Sequence, residues 1–152
     1  MKKKSLASGA GLLALSALFI WATPLLAHAE GWDNSTGEWR YLDSTDNAVT
    51  EVWRKSGESW YYLGEDGNMV KDALVSIDDN TFYLNTDGAM VTDRWVSVKN
   101  DDGSSDWYYF GNEGKAYKGR SGKVYTHEIE GKRYLFDEEG VMQTGYFNLE
   151  GN

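Results

Sequence analysis

Paired tryptophans are the residues of this sequence whose type and spacing best suit a binding chemistry. The chain contains repeated segments, three of which carry a tryptophan pair. In the two other repeats both tryptophans are replaced, by Leu74 and Thr81 in one and by Ser121 and Arg133 in the other. Indole faces attract cations, and they also stack on sugar rings. Because both members are kept or lost together, we interpret each pair as two walls of a binding site rather than as core filling. The three pairs are Trp32 with Trp39, Trp53 with Trp60, and Trp95 with Trp107.

The tryptophans belong to a repeat that runs through the chain after residue 30. Self-similarity at a fixed period indicates a repeat protein. The later units carry extra residues around Lys99–Asp106 and Val124–Gly131, which we expect to be surface loops. The repeated segments are WRYLDSTDNAV, WYYLGEDGNMV, TFYLNTDGAMV, WYYFGNEGKAY and RYLFDEEGVMQ, which begin at Trp39, Trp60, Thr81, Trp107 and Arg133 at spacings of 21, 21, 26 and 26 residues.

The residue pattern of each unit predicts a β-hairpin. In the second unit Trp60–Leu63 is read as the first strand, the following Gly- and Asp-rich cluster as the turn, and Asn68–Lys71 as the returning strand. A single hairpin is marginal in water, so the units must stack on one another. We therefore predict an all-β solenoid of about five stacked hairpins over residues 30–152, with repeats of about 21 to 26 residues and no helices after residue 29.

Strand alternation divides each aromatic run between two faces, because successive side chains point to opposite sides. In the second unit Trp60 and Tyr62 share one face. The other face carries the second and fourth positions and is predicted to form the core: Arg40, Tyr61, Phe82, Tyr108 and Tyr134, then Leu42, Leu63, Leu84, Phe110 and Phe136.

The first 29 residues read as a secretory signal peptide. Lys2, Lys3 and Lys4 precede an apolar stretch, and Ala27-His28-Ala29 forms a small-x-small cleavage site. An uncleaved anchor is the alternative, since about 20 apolar residues can span a bilayer. Pro24 and the cleavage site favour a secreted protein with no stable membrane insertion.

Charge and composition narrow the possible partners and reactions. Without the three N-terminal lysines, 12 basic residues face 24 acidic ones, and the net charge of −12 disfavours nucleic acid as a partner. The chain has no Cys, and His127 is the one His after residue 29, so His-based triads and zinc sites with several His or Cys ligands are excluded. Most carboxylates lie in turns, and none matches an EF-hand loop. We expect no catalytic residue, metal or cofactor.

The segments GWDNSTGEWRYL, WRKSGESWYYLGEDGNMV and DGAMVTDRW resemble the cell-wall-binding repeats of Gram-positive surface proteins, the choline-binding family. The resemblance covers essentially all of residues 30–152. Related repeats in glucan-binding proteins share the aromatic hairpin and bind polysaccharide instead.

This resemblance implies ligand sites between successive hairpins, enclosed by two aromatics of one repeat and one of the next. Trp95 and Trp107 would form a third, incomplete site against Leu135, unless Tyr134 substitutes. The two complete sets would be Trp32, Trp39 and Tyr62 with Met69, and Trp53, Trp60 and Tyr83 with Met90.

The implied function is non-catalytic attachment to a cell-wall polymer, either choline-bearing teichoic acid or a polysaccharide, by a secreted, wall-associated protein. Two alternatives stay open at this point. The repeats would bind a glucan-type polysaccharide, or they would serve as a structural spacer or adhesin segment of a larger protein.

Overall fold

The computed structural model describes residues 29–120 and 125–145, and over these residues the chain forms strands, turns and no helix. Most of the predicted signal peptide and the C-terminal residues 146–152 lie outside the described residues. Eleven strands pair locally into five antiparallel hairpins, so the predicted all-β stack of hairpins is confirmed. The strands are β1 (Gly31–Asp33), β2 (Arg40–Leu42), β3 (Val52–Ser56), β4 (Ser59–Leu63), β5 (Ala73–Ile77), β6 (Asn80–Leu84), β7 (Arg94–Lys99), β8 (Ser105–Phe110), β9 (Tyr125–Ile129), β10 (Lys132–Phe136) and β11 (Met142–Gln143).

The hairpins differ from the prediction in which segment pairs with the aromatic strand. β4 pairs along its whole length with the preceding strand β3, with Trp53 opposite Tyr62. The predicted return Asn68–Lys71 makes only isolated bridges, Leu63 to Met69 within the unit and Arg40 to Asn68 with the preceding one. The return is short because Asp72, at φ 48°, turns the chain into the next hairpin. In the last unit the return is a strand, β11, which pairs with β10.

Three hairpin tips are two-residue loops that the sequence reading missed, whereas longer loops join β1 to β2 and β7 to β8. The predicted loop Val124–Gly131 is wrong over Tyr125–Ile129, which form β9. Ser56 pairs with Ser59, which leaves Gly57 and Glu58 as the loop, and Ile77 pairs with Asn80 around Asp78 and Asp79. Both aspartates have positive φ, 49° and 62°. Two consecutive left-handed residues define the type I′ turn, whose twist matches that of the flanking strands.

The predicted core face is largely confirmed. Leu63, Leu84, Phe110 and Phe136, the fourth positions of four units, are completely buried, whereas Leu42 of the first hairpin is only partly buried. Among the second positions Phe82 and Tyr108 are also buried. The tryptophans on the opposite face are exposed to a large extent: Trp39 40%, Trp60 41% and Trp107 45%.

A repeated backbone hydrogen bond joins each of the first three hairpins to the turn that follows the next one. The Met69 amide donates to the Trp39 carbonyl at 2.7 Å, and the Met90 amide donates to the Trp60 carbonyl at 2.8 Å. In the fourth unit the equivalent donor is the Ala116 amide, which bonds the Thr81 carbonyl at 2.8 Å. The hairpins thus stack through side chains and single backbone bonds, without one continuous sheet.

Candidate functional site

The first cavity lies between the first and second hairpins and has a volume of about 320 Å³. Its aromatic lining is Trp32 and Trp39 from the first hairpin and Tyr61 from the second, and Met69 closes one side. Trp32 stands nearly perpendicular to Trp39, with ring centroids 6.4 Å apart and an angle of 83° between the planes. It makes a similar edge contact with Tyr61, at 5.5 Å and 74°. The rings therefore form the sides of a box rather than a flat platform.

The second cavity repeats this arrangement one unit later, with a volume of about 370 Å³. Trp53, Trp60 and Met90 line it together with Glu113. Phe82 takes the place that Tyr61 has in the first cavity, packing edge-on against Trp53 with ring centroids 5.1 Å apart. Phe82 is 9% exposed, so its ring supports Trp53 more than it lines the open space.

Two of the residues predicted to complete these cavities lie elsewhere. Tyr62 packs against Trp53 of its own hairpin at 5.1 Å, and Tyr83 packs against Phe110 at 6.2 Å. The reason is strand alternation: a tyrosine opposite its own hairpin's tryptophan points away from the preceding hairpin. The ring that faces the preceding hairpin is Tyr61, the residue before Tyr62.

Trp95 of the third tryptophan pair contacts Tyr134, the residue that the sequence analysis gave as a substitute for Leu135. Trp95 makes an edge contact with Tyr134 at 4.8 Å and stacks on Phe136 at 5.9 Å. Met142, opposite Phe136 in the ladder, corresponds to Met69 and was missed. The signal was present in the aligned repeats, where GVMQ places Met at the same position as GNMV.

The third unit, which has no tryptophan pair, contributes to a buried cluster at the corresponding place. Leu74 and Tyr83 pack against a buried cluster that contains Tyr108 and Phe110. Thr81, which replaces the second tryptophan, is 6% exposed. Ala116, in the following unit, takes the position that Met69 and Met90 have in their units and also packs on the cluster. At this place the residues that replace the tryptophans belong to the core instead of lining an aromatic cavity.

Glycines hold the cavity methionines in place. A Cβ atom added to Gly114 would lie 2.6 Å from Sδ and 3.0 Å from Cγ of Met90, and one added to Gly88 would overlap Met69. Both glycines also have positive φ, 75° and 81°. The turn of one unit therefore packs directly on the methionine of the unit before it, and only glycine allows this approach.

Charged groups stand at both cavities. Asp87 lines the first cavity, and Glu113 lines the second. A hydrogen bond from Lys115, whose Nζ lies 2.8 Å from Oε2, holds the pKa of the Glu113 carboxyl below its usual value. Sequence reasoning treated these carboxylates as solvated turn residues. Their position at the cavities follows from the stacking of one turn over the preceding unit.

The neighbouring tyrosines Tyr62 and Tyr83 both have raised pKa values. The Tyr83 hydroxyl donates to Asp72, and burial together with this bond raises the pKa of Tyr83 to about 12. Burial and the charge of Glu51 raise the pKa of Tyr62 as well. Within residues 29–120 and 125–145 no group of three or more acidic, His or Cys side chains could hold a metal ion.

Comparisons with known proteins match both the sequence and the fold. The profile of the choline-binding repeat matches residues 49–95, which include the whole second tryptophan pair. CbpJ from Streptococcus pneumoniae TIGR4 is 30% identical and superposes with a TM-score of 0.58 over 82% of this chain. Residues 49–95 therefore belong to the choline-binding repeat family.

Two further choline-binding repeat structures resemble the chain. Choline binding protein F from Streptococcus pneumoniae, crystallised in the presence of a peptidoglycan analogue, is 28% identical with a TM-score of 0.59, and the match covers 81% of this chain and 37% of that one. Its complex with ipratropium gives 27% identity and a TM-score of 0.52, over 76% of this chain and 32% of that one. Comparison with curated proteins gives no match.

The chain spans well under half of these choline-binding repeat proteins, 39% of the CbpJ structure. The comparison therefore concerns the repeat array and not the remainder of those proteins. Among the described residues of this array, no helix has the length and apolar character needed to cross a membrane.

Proposed function

We propose that this chain is a non-catalytic binding module that attaches a secreted bacterial protein to cell-wall polymers by holding choline groups in the aromatic cavities between hairpins. The proposed ligand-binding residues are Trp32, Trp39, Tyr61 and Met69 in the first cavity, Trp53, Trp60 and Met90 in the second, and Trp95, Trp107, Tyr134 and Met142 at the third tryptophan pair.

The observation that carries the proposal is the mutual orientation of the rings in the first cavity. Trp32 stands at 83° to Trp39 and at 74° to Tyr61, so three ring surfaces and Met69 surround one space. A quaternary ammonium group cannot donate a hydrogen bond, and its charge is stabilised by ring faces. A sugar ring instead stacks on one flat surface, and perpendicular rings do not offer such a platform. The geometry thus favours choline over a glycan.

The related structures support this ligand class. Choline binding protein F was crystallised with a peptidoglycan analogue and in complex with ipratropium, which carries a quaternary ammonium group. The cavity volumes of about 320 and 370 Å³ lie at the small end of ligand pockets, as expected for a head group.

Weak single sites would act together on a polymer. Each ring contributes about 0.5–2 kcal/mol to the binding of a cation, so one cavity provides only a few kcal/mol. This corresponds to a Kd near the millimolar range. A polymer such as teichoic acid, with many choline groups, would engage several cavities at once, and the linked sites would raise the overall affinity without any new contact.

Titration of tryptophan fluorescence with choline and, separately, with a soluble glucan tests the proposal. Choline is expected to change the emission with a Kd of about 1 mM, and Trp39→Ala together with Trp60→Ala should remove most of that change. Tyr125→Ala is the matched control, because Tyr125 is an equally exposed aromatic that lines neither the first nor the second cavity. Binding of the glucan and not of choline would reject the choline assignment.

A further inference from the structure

The first and second cavities share their aromatic lining but differ in the charges around it. In the first, Asp87 lines the space, and none of the ion pairs found in the described residues involves its carboxylate. In the second, the corresponding Glu113 is paired with Lys115 at 2.8 Å. The turns that supply these two acids occupy equivalent places in the repeat, so the difference lies in the neighbouring residues.

A second cation stands over a ring that lines the second cavity, whereas the cation over the first hairpin, Arg54, lies 4.8 Å from the centre of the Tyr41 ring, which does not line the first cavity. Lys55 lies directly opposite Trp60 in its hairpin, and its Nζ is 5.9 Å from the centre of the Trp60 ring. The Lys55 ammonium group is therefore already attracted to the negative face of a ring that would receive a ligand cation, and the two cations would repel each other. Lys55 follows Trp53 by two residues, and the residue that follows Trp32 by two is Asn34, which is uncharged.

These charges have opposite effects on a bound cation. A carboxylate about 6 Å from a quaternary ammonium attracts it by roughly 0.7 kcal/mol at the dielectric constant of water and by roughly 1.4 kcal/mol at half that value. That is about a three- to tenfold gain in affinity. An ammonium group at a similar distance opposes binding by a comparable factor, and a carboxylate neutralised by a lysine provides little compensation.

We propose that Asp87 makes the first cavity selective for cationic ligands, whereas Lys55 and the Glu113–Lys115 pair leave the second cavity with little preference for charge. This inference rests on the proposed function of the cavities as ligand sites. It assigns a role to a turn carboxylate outside the aromatic set, and it implies that the two cavities fill in sequence. The first fills at low concentrations of a quaternary ammonium, and the second fills later.

The test compares choline with 3,3-dimethyl-1-butanol, its uncharged analogue of nearly the same shape. Trp60→Ala together with Trp107→Ala disables the second cavity and the third tryptophan pair, so that Asp87→Asn can be measured at the first cavity by calorimetry. We expect Asp87→Asn to weaken choline binding about three- to tenfold and to change binding of the alcohol less than about twofold. Raising the salt to about 1 M, where the Debye length is about 3 Å, should shrink the effect on choline.

The second cavity provides the reciprocal measurement. In a Trp39→Ala, Trp107→Ala background, which disables the first cavity and the third tryptophan pair, Lys55→Met removes the charge while keeping an unbranched apolar stem. We expect choline affinity to rise about two- to fivefold, with binding of the alcohol nearly unchanged. Circular dichroism of each variant establishes that the hairpin stack is intact.

The outcomes separate the inference from the proposed function. If Asp87→Asn weakens both probes equally or neither, the carboxylate does not act through its charge, and the inference is overturned while the cavities stand as binding sites. If wild-type protein binds neither choline nor the alcohol, the proposed function itself fails, and the inference fails with it.

Discussion

Replacing Gly88 by alanine tests whether the stacked turns really hold the cavity methionines. A Cβ atom at this position would lie 2.9 Å from Cγ of Met69 and 3.3 Å from the Val70 carbonyl oxygen. Optimal carbon contacts lie at about 3.5–4.0 Å, so the methyl group overlaps the methionine by more than about half an ångström. Met69 must move, and the space open to it is the first cavity.

The magnitude follows from two costs. Gly88 has φ 81°, and a non-glycine residue in this left-handed region costs about 1–2 kcal/mol. Overpacking against Met69 adds about 1–3 kcal/mol. Gly88→Ala should therefore reduce the free energy of unfolding by about 2–5 kcal/mol.

The chain offers a closely matched control. Gly103 has φ 86°, but a Cβ atom there would meet nothing within 4 Å. Gly103→Ala should reduce the free energy of unfolding only by the cost of the left-handed conformation, about 1–2 kcal/mol. Guanidinium unfolding measures both losses, and choline titration measures binding at the first cavity, which only Gly88→Ala should weaken. Equal losses of stability, with choline binding unchanged in both variants, would refute the packing argument.

Three further predictions concern the core, the tyrosines and the ligand. Leu63→Ala, at a completely buried position, should lower the free energy of unfolding by about 2–5 kcal/mol. Trp60→Ala, at a position 41% exposed, should instead mainly weaken choline binding. Denaturation and fluorescence titration of both variants check this. The pKa of Tyr83 is raised to about 12, so its contribution to stability is present below pH 10 and is lost as the pH rises from 10 to 12. Guanidinium unfolding across that range should show this loss, and Tyr83→Phe should make it smaller. Choline at ten times its Kd should stabilise the fold by about 1.4 kcal/mol per site, visible as a higher Tm.

Much of the fold could be predicted because strand alternation is a local property. The period of two placed Leu63, Leu84 and Phe110 on one face, and all three are completely buried. The partner of each aromatic strand was harder to predict. The segment before Trp60 and the segment after it both contain residues able to form a strand, and only the register of Trp53 opposite Tyr62 shows which one forms the hairpin.

The candidate site was partly predictable for the same reason. The tryptophan pairs and their methionines are marked by the repeat itself, and the structure brings Trp32, Trp39 and Met69 around one cavity. The third ring was assigned to Tyr62 by analogy with related repeats. Alternation within the strand makes Tyr61 the ring that faces the preceding hairpin.

The sequence by itself determined the repeat, the two faces of each strand and the tryptophan pairs, because each of these depends on residues close together in the chain. The tertiary structure decided which turn covers which cavity. Asp87 and Trp32 are 55 residues apart in the sequence, yet both line the first cavity. Only the stacking of successive hairpins brings such distant side chains together, and that stacking sets the charge that a ligand in each cavity would meet.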